Sequence, residues 1–301
     1  MILSVGEILV DMIGAEKDNT FCYERKAGGA PFNVACAAAK FGAKSGFVGC
    51  VGDDTVGRFL QKFVRAQNLA CSYVKKDDTV NTTLAFVELD KNGERSFCFY
   101  RKNTADYRLP EIPEEIFAQA NIVHIGSLML SEPQGEQYAL QLAEKTKKAG
   151  KLVSFDVNFR DDIFRDTNAA VAVYKKLIDQ ADIVKFSEDE VEIFTKSYVE
   201  SLTDKLVCVS LGGSGSQWRY QGNSANVSSI SVKPVDTTGA GDAFYAGVLS
   251  QIDGKNKSEW TESLLNQAFR FGNVCGALNT LGHGAIDYLP NLQTVREYLQ
   301  K

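Results

Sequence analysis

The chain has 301 residues, of which 44% are hydrophobic and 24% are charged, and its formal net charge is −5. This composition is typical of a globular protein, and without a basic surplus to neutralise phosphates it argues against a nucleic-acid partner. No apolar run approaches the roughly 20 residues of a membrane span, and the N-terminus lacks the positive region of a signal peptide, so we expect no membrane partner. Seven scattered cysteines, none spaced CxxC, argue against a disulfide framework or a zinc site and favour a cytoplasmic location.

The N-terminal segment predicts a strand followed by a helix. Residues 2–5 predict a buried strand, and Gly6, Glu7 and Asp11 lie beyond its end, where open α/β sheets bind their ligands. Residues 13–26 are polar and predict irregular structure. Gly28-Gly29 and an early proline then predict the start of an alanine-rich helix. Asn33 lies in the first turn of that helix, and its alternative role is a local hydrogen bond to the backbone.

The next elements predict an insertion beside the main sheet. A strand at 47–51 precedes an amphipathic helix, whose apolar stripe is Val56, Phe59, Leu60, Phe63 and Val64. Residues 82–89 and 96–101 alternate as strands do and flank a turn that contains Asn92-Gly93, a strong hairpin signal. We expect this hairpin to form a flap.

A regular alternation of strands and helices occupies the second half of the chain. Such alternation predicts a mostly parallel sheet covered on both faces. Polar clusters follow three of these strands, and side chains at the carboxyl ends of successive strands meet in one crevice. The strands are expected at 122–125, 152–157, 183–186 and 206–211, and the helices at 134–148, 168–180 and 188–196.

The stretch Asp236 to Phe244, DTTGAGDAF, predicts a phosphate-binding turn. It follows a β-like run at 230–232 and opens an apolar helix, whose free N–H groups would suit an anion. Asp242 could accept a proton there, although capping the helix is the alternative role of such an aspartate. A later helix at 261–278 is expected to be interrupted by Gly272 and Gly276. The chain has neither the GxxxxGK[ST] motif nor a GxGxxG motif after a strand, so neither a P-loop nor a dinucleotide fold is indicated.

Several motifs together resemble those of the ribokinase-like (PfkB) sugar kinases. They are AGGAPFNVACAAAKFG, GCVGDDTVG and DTTGAGDAFYAGVL, which occur in the order typical of that family. Within the family, SVGEILVDM, GGAPFN, FDVNFR and KFSEDE are most similar to those of the fructokinases. The resemblance covers nearly the whole chain. It implies a single α/β domain over residues 1–301, a three-layer α/β/α sandwich with a mostly parallel sheet, and a small β-sheet lid formed by about 12–27 and 80–103.

The resemblance also implies an activity, which is transfer of phosphate from ATP to D-fructose with Mg²⁺, and K⁺ as a further cation. Asp242 would be the base, and the amides of Gly239, Ala240 and Gly241 would form the anion hole. Residues implied to contact or adjoin the sugar are Asp11, Gly28, Gly29, Asn33, Phe99, Arg101 and Arg160. Residues implied for the nucleotide are Gly212, Gly213, Gly215 and Asn273. Partners would be the sugar, ATP and a second copy of the chain bound through the lid.

The implied metal sites depart from the family pattern. The family's N-x-x-E motif appears here as Ser187-x-x-Glu190, which leaves open which side chain holds the metal-bound waters. Glu190 would bind Mg²⁺ through water, and its alternative is a first-turn acid favoured by the helix dipole. Asp236 and Thr238 correspond to the monovalent-cation site, but Leu281-Gly282-His283 replaces the usual basic residues nearby.

Other functions are compatible with parts of this pattern. A kinase for ribose, 2-keto-3-deoxygluconate or another ketohexose would share most of the motifs. A non-catalytic sugar or nucleotide sensor could keep the fold, although it would not need a base at Asp242. A dinucleotide-dependent oxidoreductase would fit the strand and helix alternation but lacks its fingerprint.

Overall fold

The fold is built on two β-sheets, one of nine strands and one of four. The computed structural model describes residues 1–18, 20–89, 95–160, 163–164 and 166–300. The strands are β1 (Ile2–Val5), β2 (Leu9–Lys17), β3 (Thr20–Gly28), β4 (Ser45–Gly52), β5 (Cys71–Asp77), β6 (Leu84–Leu89), β7 (Arg95–Tyr100), β8 (Ile122–Ile125), β9 (Leu152–Asp156), β10 (Ile183–Ser187), β11 (Leu206–Ser210), β12 (Ser216–Tyr220) and β13 (Asn223–Val227). The helices are α1 (Ala30–Lys40), α2 (Thr55–Arg65), α3 (Glu114–Phe117), α4 (Pro133–Lys148), α5 (Thr167–Gln180), α6 (Glu188–Phe194), α7 (Lys196–Ser201), α8 (Ala240–Ile252), α9 (Glu262–Asn279) and α10 (Leu292–Leu299).

The larger sheet has the order β13-β12-β11-β10-β9-β8-β1-β4-β5. The neighbouring strands from β11 to β5 in this order pair in parallel, whereas within the described sheet β11 with β12 and β12 with β13 pair in antiparallel fashion at one edge. Strands buried on both faces read as continuous apolar runs, which is why β8, β9, β10 and β11 lie at or within one residue of their predicted bounds. The carboxyl ends of the parallel strands therefore share one edge.

The smaller sheet has the order β3-β2-β6-β7. Strands β2 and β3 form a long antiparallel hairpin, β2 pairs in parallel with β6, and β6 pairs in antiparallel fashion with β7. The prediction of irregular structure at 13–26 is wrong, because the largely exposed residues of β3 do not show the apolar alternation of a half-buried strand. The pairing of the two predicted flap strands is confirmed, while their Asn92-Gly93 turn lies outside the described residues.

Helices cover both faces of the larger sheet and complete three layers. One apolar core lies under α1, α8 and α9 and contains Phe32, Phe244 and Phe269. The second lies under α4 and α5 and contains Leu142 and Tyr174. The predicted stripe of α2 packs on the first core. Among the helices of the described residues, none is both long and apolar enough to cross a membrane.

Two predictions around α8 and α9 are corrected by the fold. Gly272 and Gly276 do not interrupt α9, which is continuous. A side chain at Gly272 would lie 2.7 Å from the Phe244 carbonyl oxygen, so this glycine lets α8 and α9 approach closely. Residues 230–232 form no strand, because the chain crosses there from the edge hairpin to the start of α8 without pairing.

Candidate active site

The first turn of α8 is held in place by a glycine in the left-handed region. Gly239 is the N-cap residue, with φ of 72°, and a side chain at this position would lie 2.6 Å from the Ala285 Cβ. The turn presents the backbone N–H groups that start the helix and have no partner within it. Because such donors carry partial positive charge, this end of α8 can bind an anion.

Asp242 lies in that first turn and does not cap the helix. Its Oδ2 accepts a hydrogen bond of 2.8 Å from Asn33 Nδ2, which links α8 to α1. Burial, followed by the charge of Asp156, raises the pKa of Asp242 to about 6, while the Asn33 bond acts in the opposite direction. A carboxylate with such a pKa is ionised at neutral pH and is still basic enough to take a proton. The predicted alternative for Asn33, a local bond to backbone, is not the contact observed for its amide nitrogen.

A cavity of about 330 Å³ opens in front of Asp242, between the smaller sheet and the first turns of α1 and α8. Asp11 on β2 and Phe99 on β7 reach it from the smaller sheet. Gly28 lies just behind this wall, where a side chain would collide with the Asp11 carboxylate. The predicted residues that line the cavity are Asp11, Gly29, Asn33, Phe99, Arg160, Thr238, Gly239, Gly241 and Asp242.

Arg101 does not line this cavity. Its guanidinium is buried, with Nε 2.5 Å from Asp106 Oδ2 and Nη1 2.6 Å from the Tyr107 hydroxyl. Nη1 also donates to the Leu128 carbonyl oxygen and to Ser131 Oγ. These bonds tie the end of β7 to the segment after β8. The arginine therefore supports the cavity wall from behind.

A second cavity of about 410 Å³ lies on the other side of the α8 N-terminus. The predicted nucleotide residues Gly212, Gly213, Gly215 and Asn273 all line it, together with Ala240. The two cavities share Thr237 and Gly241. A molecule in one cavity can therefore meet a molecule in the other directly in front of the helix amides.

Glu190 is buried, lines neither cavity and forms a capping box with Ser187. Its Oε2 accepts from the Ser187 backbone N–H at 2.7 Å, and its Oε1 accepts from the Phe159 N–H at 2.6 Å. Ser187 Oγ in turn accepts from the Glu190 N–H. Burial raises the pKa of Glu190. With a backbone donor on each carboxylate oxygen, this geometry favours a structural role for Glu190 at the start of α6.

Asp236 and Thr238 form a compact oxygen-rich turn. Asp236 Oδ1 accepts from the N–H and the hydroxyl of Thr238, and Oδ2 accepts from the Gly284 N–H at 2.9 Å. Asn279 donates to the Thr238 carbonyl oxygen, while its own Oδ1 is buried with no hydrogen-bond partner among the described residues. The Asn279 Oδ1 atom, near the carboxylate and hydroxyl oxygens of this turn, is suitable as a ligand for a hard cation.

Two charged residues line the first cavity in addition to those that the resemblance implied. Glu7, after β1, lines the first cavity, and burial raises its pKa to about 7. Lys185 lines the same cavity, and its Nζ lies 2.9 Å from Asp156 Oδ1. Glu7 lies two residues after the end of β1, where ligands were expected, and the sequence signal for Lys185 was a lysine inside the otherwise apolar strand β10.

Comparison with known proteins identifies the family of the chain. The profile described as pfkB family carbohydrate kinase matches residues 1–292. The chain belongs to this family. Fructokinase-1 of Zea mays is 35% identical over 100% of this chain and 98% of the maize protein. Both the predicted family and the predicted ribokinase-like α/β fold with its smaller sheet are confirmed.

Solved structures show the same fold at similar identity. Fructokinase from Xylella fastidiosa with bound ATP has a TM-score of 0.92 and 29% identity, covering 99% of this chain and 98% of that one. Fructokinase from Vibrio cholerae O395, bound to fructose, ADP and a calcium ion, has a TM-score of 0.88 and 31% identity, with 99% and 98% covered. A double mutant of the Vibrio protein was solved with fructose, ADP and a potassium ion.

Proposed function

We propose that this protein is a fructokinase, which transfers the terminal phosphoryl group of ATP to D-fructose and releases fructose 6-phosphate and ADP. The observation that carries the proposal is the junction of two cavities at Gly241, in front of the α8 amides and beside Asp242. Phosphoryl transfer depends chiefly on positioning and charge stabilisation, which such a junction provides. The choice of fructose rests on relatives and structural neighbours that are fructokinases.

The proposed chemistry assigns the sugar to the first cavity and ATP to the second. The attacking sugar oxygen forms a bond to the terminal phosphorus while the bond from that phosphorus to the bridging oxygen of ADP breaks. Asp242 takes the hydroxyl proton, and the amides of Gly239, Ala240 and Gly241 stabilise the transferred group. Asp11, Gly29, Asn33, Phe99 and Arg160 are proposed to hold the sugar, with Gly28 making room for Asp11. Gly212, Gly213, Gly215 and Asn273 are proposed to hold the nucleotide.

The proposed cations differ in how this chain would hold them. Among the described residues there is no group of three or more His, Cys, Asp or Glu side chains that could hold a metal ion. Mg²⁺ commonly binds through substrate phosphates and few carboxylates, so we propose that it accompanies ATP. Asp236, Thr238 and Asn279 Oδ1, which has no hydrogen-bond partner in the described part of the chain, would hold K⁺, and the ion would stabilise the turn before α8.

The smaller sheet is proposed to act as a lid and as the contact for a homodimer. Asp11 on β2 and Phe99 on β7 line the sugar cavity from this sheet, so movement of the sheet would open or close the cavity. Phe21, Tyr23 and Tyr100 are exposed on this sheet and, with Phe86, form a row of edge-to-face ring contacts. A second copy would cover these rings. The seven free cysteines suit the reducing cytoplasm that we propose as its location.

A coupled ADP-release assay with fructose, ribose, 2-keto-3-deoxygluconate and other ketohexoses tests the proposed function. We expect the highest kcat/KM with fructose. A preference for another sugar would support kinase activity but contradict fructose as the substrate. Binding of ATP and sugar without turnover would indicate a sensor. The purified chain in analytical ultracentrifugation tests the dimer, with Tyr100→Lys expected to shift the protein towards monomer.

A further inference from the structure

A buried ion pair lies beneath the junction of the two cavities. Lys185 on β10 and Asp156 on β9 are register partners on adjacent parallel strands, at the carboxyl ends where the cavities open. Lys185 is 6% exposed and Asp156 is 3% exposed. Burying two charges carries a large desolvation cost, and a well-packed apolar pair in the same place is often at least as stabilising. A buried ion pair is therefore weak evidence for a stabilising role. Its position at the site suggests a role in chemistry instead.

Within the described residues, the ammonium group of Lys185 has donors at the site that form no hydrogen bond. Of its three N–H donors, one has a partner among the described residues, which is Asp156 Oδ1 at 2.9 Å. Lys185 lines the first cavity, and a side chain at Gly241 would lie 3.6 Å from its Nζ. The ammonium is therefore adjacent to the helix turn whose amides face the transferred group. It also lowers the pKa of Asp242, as a positive charge near that carboxylate does.

We propose that Lys185 is a further catalytic residue, whose ammonium contacts the transferring phosphoryl group and stabilises the negative charge on its oxygens. Asp156 is a positioning residue, because its carboxylate orients the ammonium towards the junction. The inference rests on the proposed function. Lys185 does not alter which bonds form and break in the transfer. The phosphorus–oxygen bond of ATP breaks, the bond to the sugar oxygen forms, and the proton goes to Asp242. Lys185 keeps its protons throughout.

The test compares Lys185→Met with a matched loss of another buried lysine. Lys205 is also 6% exposed, but its Nζ bonds the carbonyl oxygens of Asp179 and Ala181, away from both cavities. Loss of a donor to a developing oxyanion costs about 10²–10³ in kcat, which we expect for Lys185→Met with little change in KM for fructose or ATP. Lys205→Met should lower the melting temperature and keep kcat.

Binding of a transition-state mimic gives a second readout. Calorimetry with fructose present would compare ADP alone with ADP plus aluminium fluoride, which imitates the transferring phosphoryl group. We expect Lys185→Met to weaken binding in the presence of aluminium fluoride by about the factor lost in kcat, 10²–10³, while the affinity for ADP alone changes little. Equal weakening of both would overturn the proposal.

The double variant Lys185→Met/Asp156→Asn separates catalysis from folding, and it covers the case in which Lys185→Met does not fold. It removes the carboxylate that the single variant leaves buried without its cation. If Lys185 had only a structural role, the double variant would recover both stability and kcat, and that result would overturn the proposal. We expect recovery of stability with kcat still low. A wild-type protein that turns over no sugar would refute the proposed function and this inference together, whereas equal turnover by wild type and Lys185→Met would refute this inference alone.

Discussion

The acid limb of the pH–rate profile tests the environment of Asp242. Burial and the charge of Asp156 raise its pKa from 3.8 to about 6, and the base must be ionised to take the hydroxyl proton. Turnover should therefore fall as the pH falls through 6, and at pH 5 about one tenth of the enzyme would hold an ionised base. The measurement is kcat/KM for fructose between pH 5 and 8 at saturating ATP, with Mg²⁺ in excess to keep the ATP phosphate ionised.

Two variants should move this limb in opposite directions. Asn33→Ala removes the 2.8 Å bond that stabilises the ionised carboxylate. A bond to a charged group is worth about 1.5–3 kcal/mol, so the limb should move up by about one pH unit or more. Asp156→Asn removes the carboxylate that raises the pKa, so the limb should move down. The position of the limb is the readout, because Asn33 also lines the sugar cavity and its loss can change KM.

Asp242→Asn supplies the control for this reasoning. The amide is nearly isosteric and cannot take the proton, so kcat should fall by about 10²–10⁴ and the residual rate should lack the limb. If Asp242→Asn kept more than half of the wild-type kcat, Asp242 would not be the base. If the acid limb stayed at the same pH in both Asn33→Ala and Asp156→Asn, it would not reflect the ionisation of Asp242.

Three further variants test buried charges. Glu190→Gln should destabilise the protein by about 1–3 kcal/mol and leave the Mg²⁺ titration of the rate unchanged, because backbone donors hold both carboxylate oxygens and the new amide nitrogen cannot accept from one of them. Arg101→Ala should cost about 3–5 kcal/mol in urea unfolding with little change in KM for ATP, since it leaves Asp106 buried without its cation. Burial raises the pKa of Glu7 from 4.5 to about 7, so the native state binds the proton more tightly than the unfolded state. Glu7 should thus contribute a fall of about 3 kcal/mol in stability between pH 4.5 and a pH above 7, and Glu7→Gln should remove this contribution.

For each of these three predictions, one result would contradict the expected role of the residue. A higher Mg²⁺ requirement in Glu190→Gln, absent from the exposed control Asp189→Asn, would restore the predicted metal role of Glu190. A stable Arg101→Ala protein with a raised KM for sugar alone would indicate that the arginine reaches the sugar. A constant stability difference between wild type and Glu7→Gln across the pH range would show that Glu7 does not titrate as described.

The sequence predicted elements whose signals are local. The central strands β8 to β11 are largely apolar on both faces, and the turn before α8 is marked by small residues, so both could be located without knowledge of the fold. The edge strand β5 is half-buried or exposed along its length and was not predicted. The residue pattern did not reveal the β2–β3 hairpin, which only the resemblance implied as part of the β-sheet lid, because β3 is mostly exposed and has no apolar face to show its period. The edge hairpin β12–β13 was not predicted. A strand was instead expected at residues 230–232, which follow this hairpin in the chain and form no strand.

The contacts of charged side chains depend on residues far away in the chain. Glu190 is held by the amide of Phe159, and Lys185 by Asp156, through the pairing of neighbouring strands and their loops. Arg101 is enclosed by a segment that follows β8 as well as by Asp106. Motif spacing places such residues at one edge of the sheet, but it does not determine which of them faces a cavity and which is buried behind it.

The first turn of α8 depends on a loop that contributes little to either cavity. Gly239 packs against Ala285, and Asp236, two residues before Thr238, accepts from the Gly284 N–H. The loop after α9 thus determines where the helix amides point. Because phosphoryl transfer depends on placing donors around the transferred group, a small displacement of this loop changes the geometry of the anion hole. A cation bound beside Asp236 would act on catalysis by this route, through the position of the turn and not through contact with the sugar or ATP.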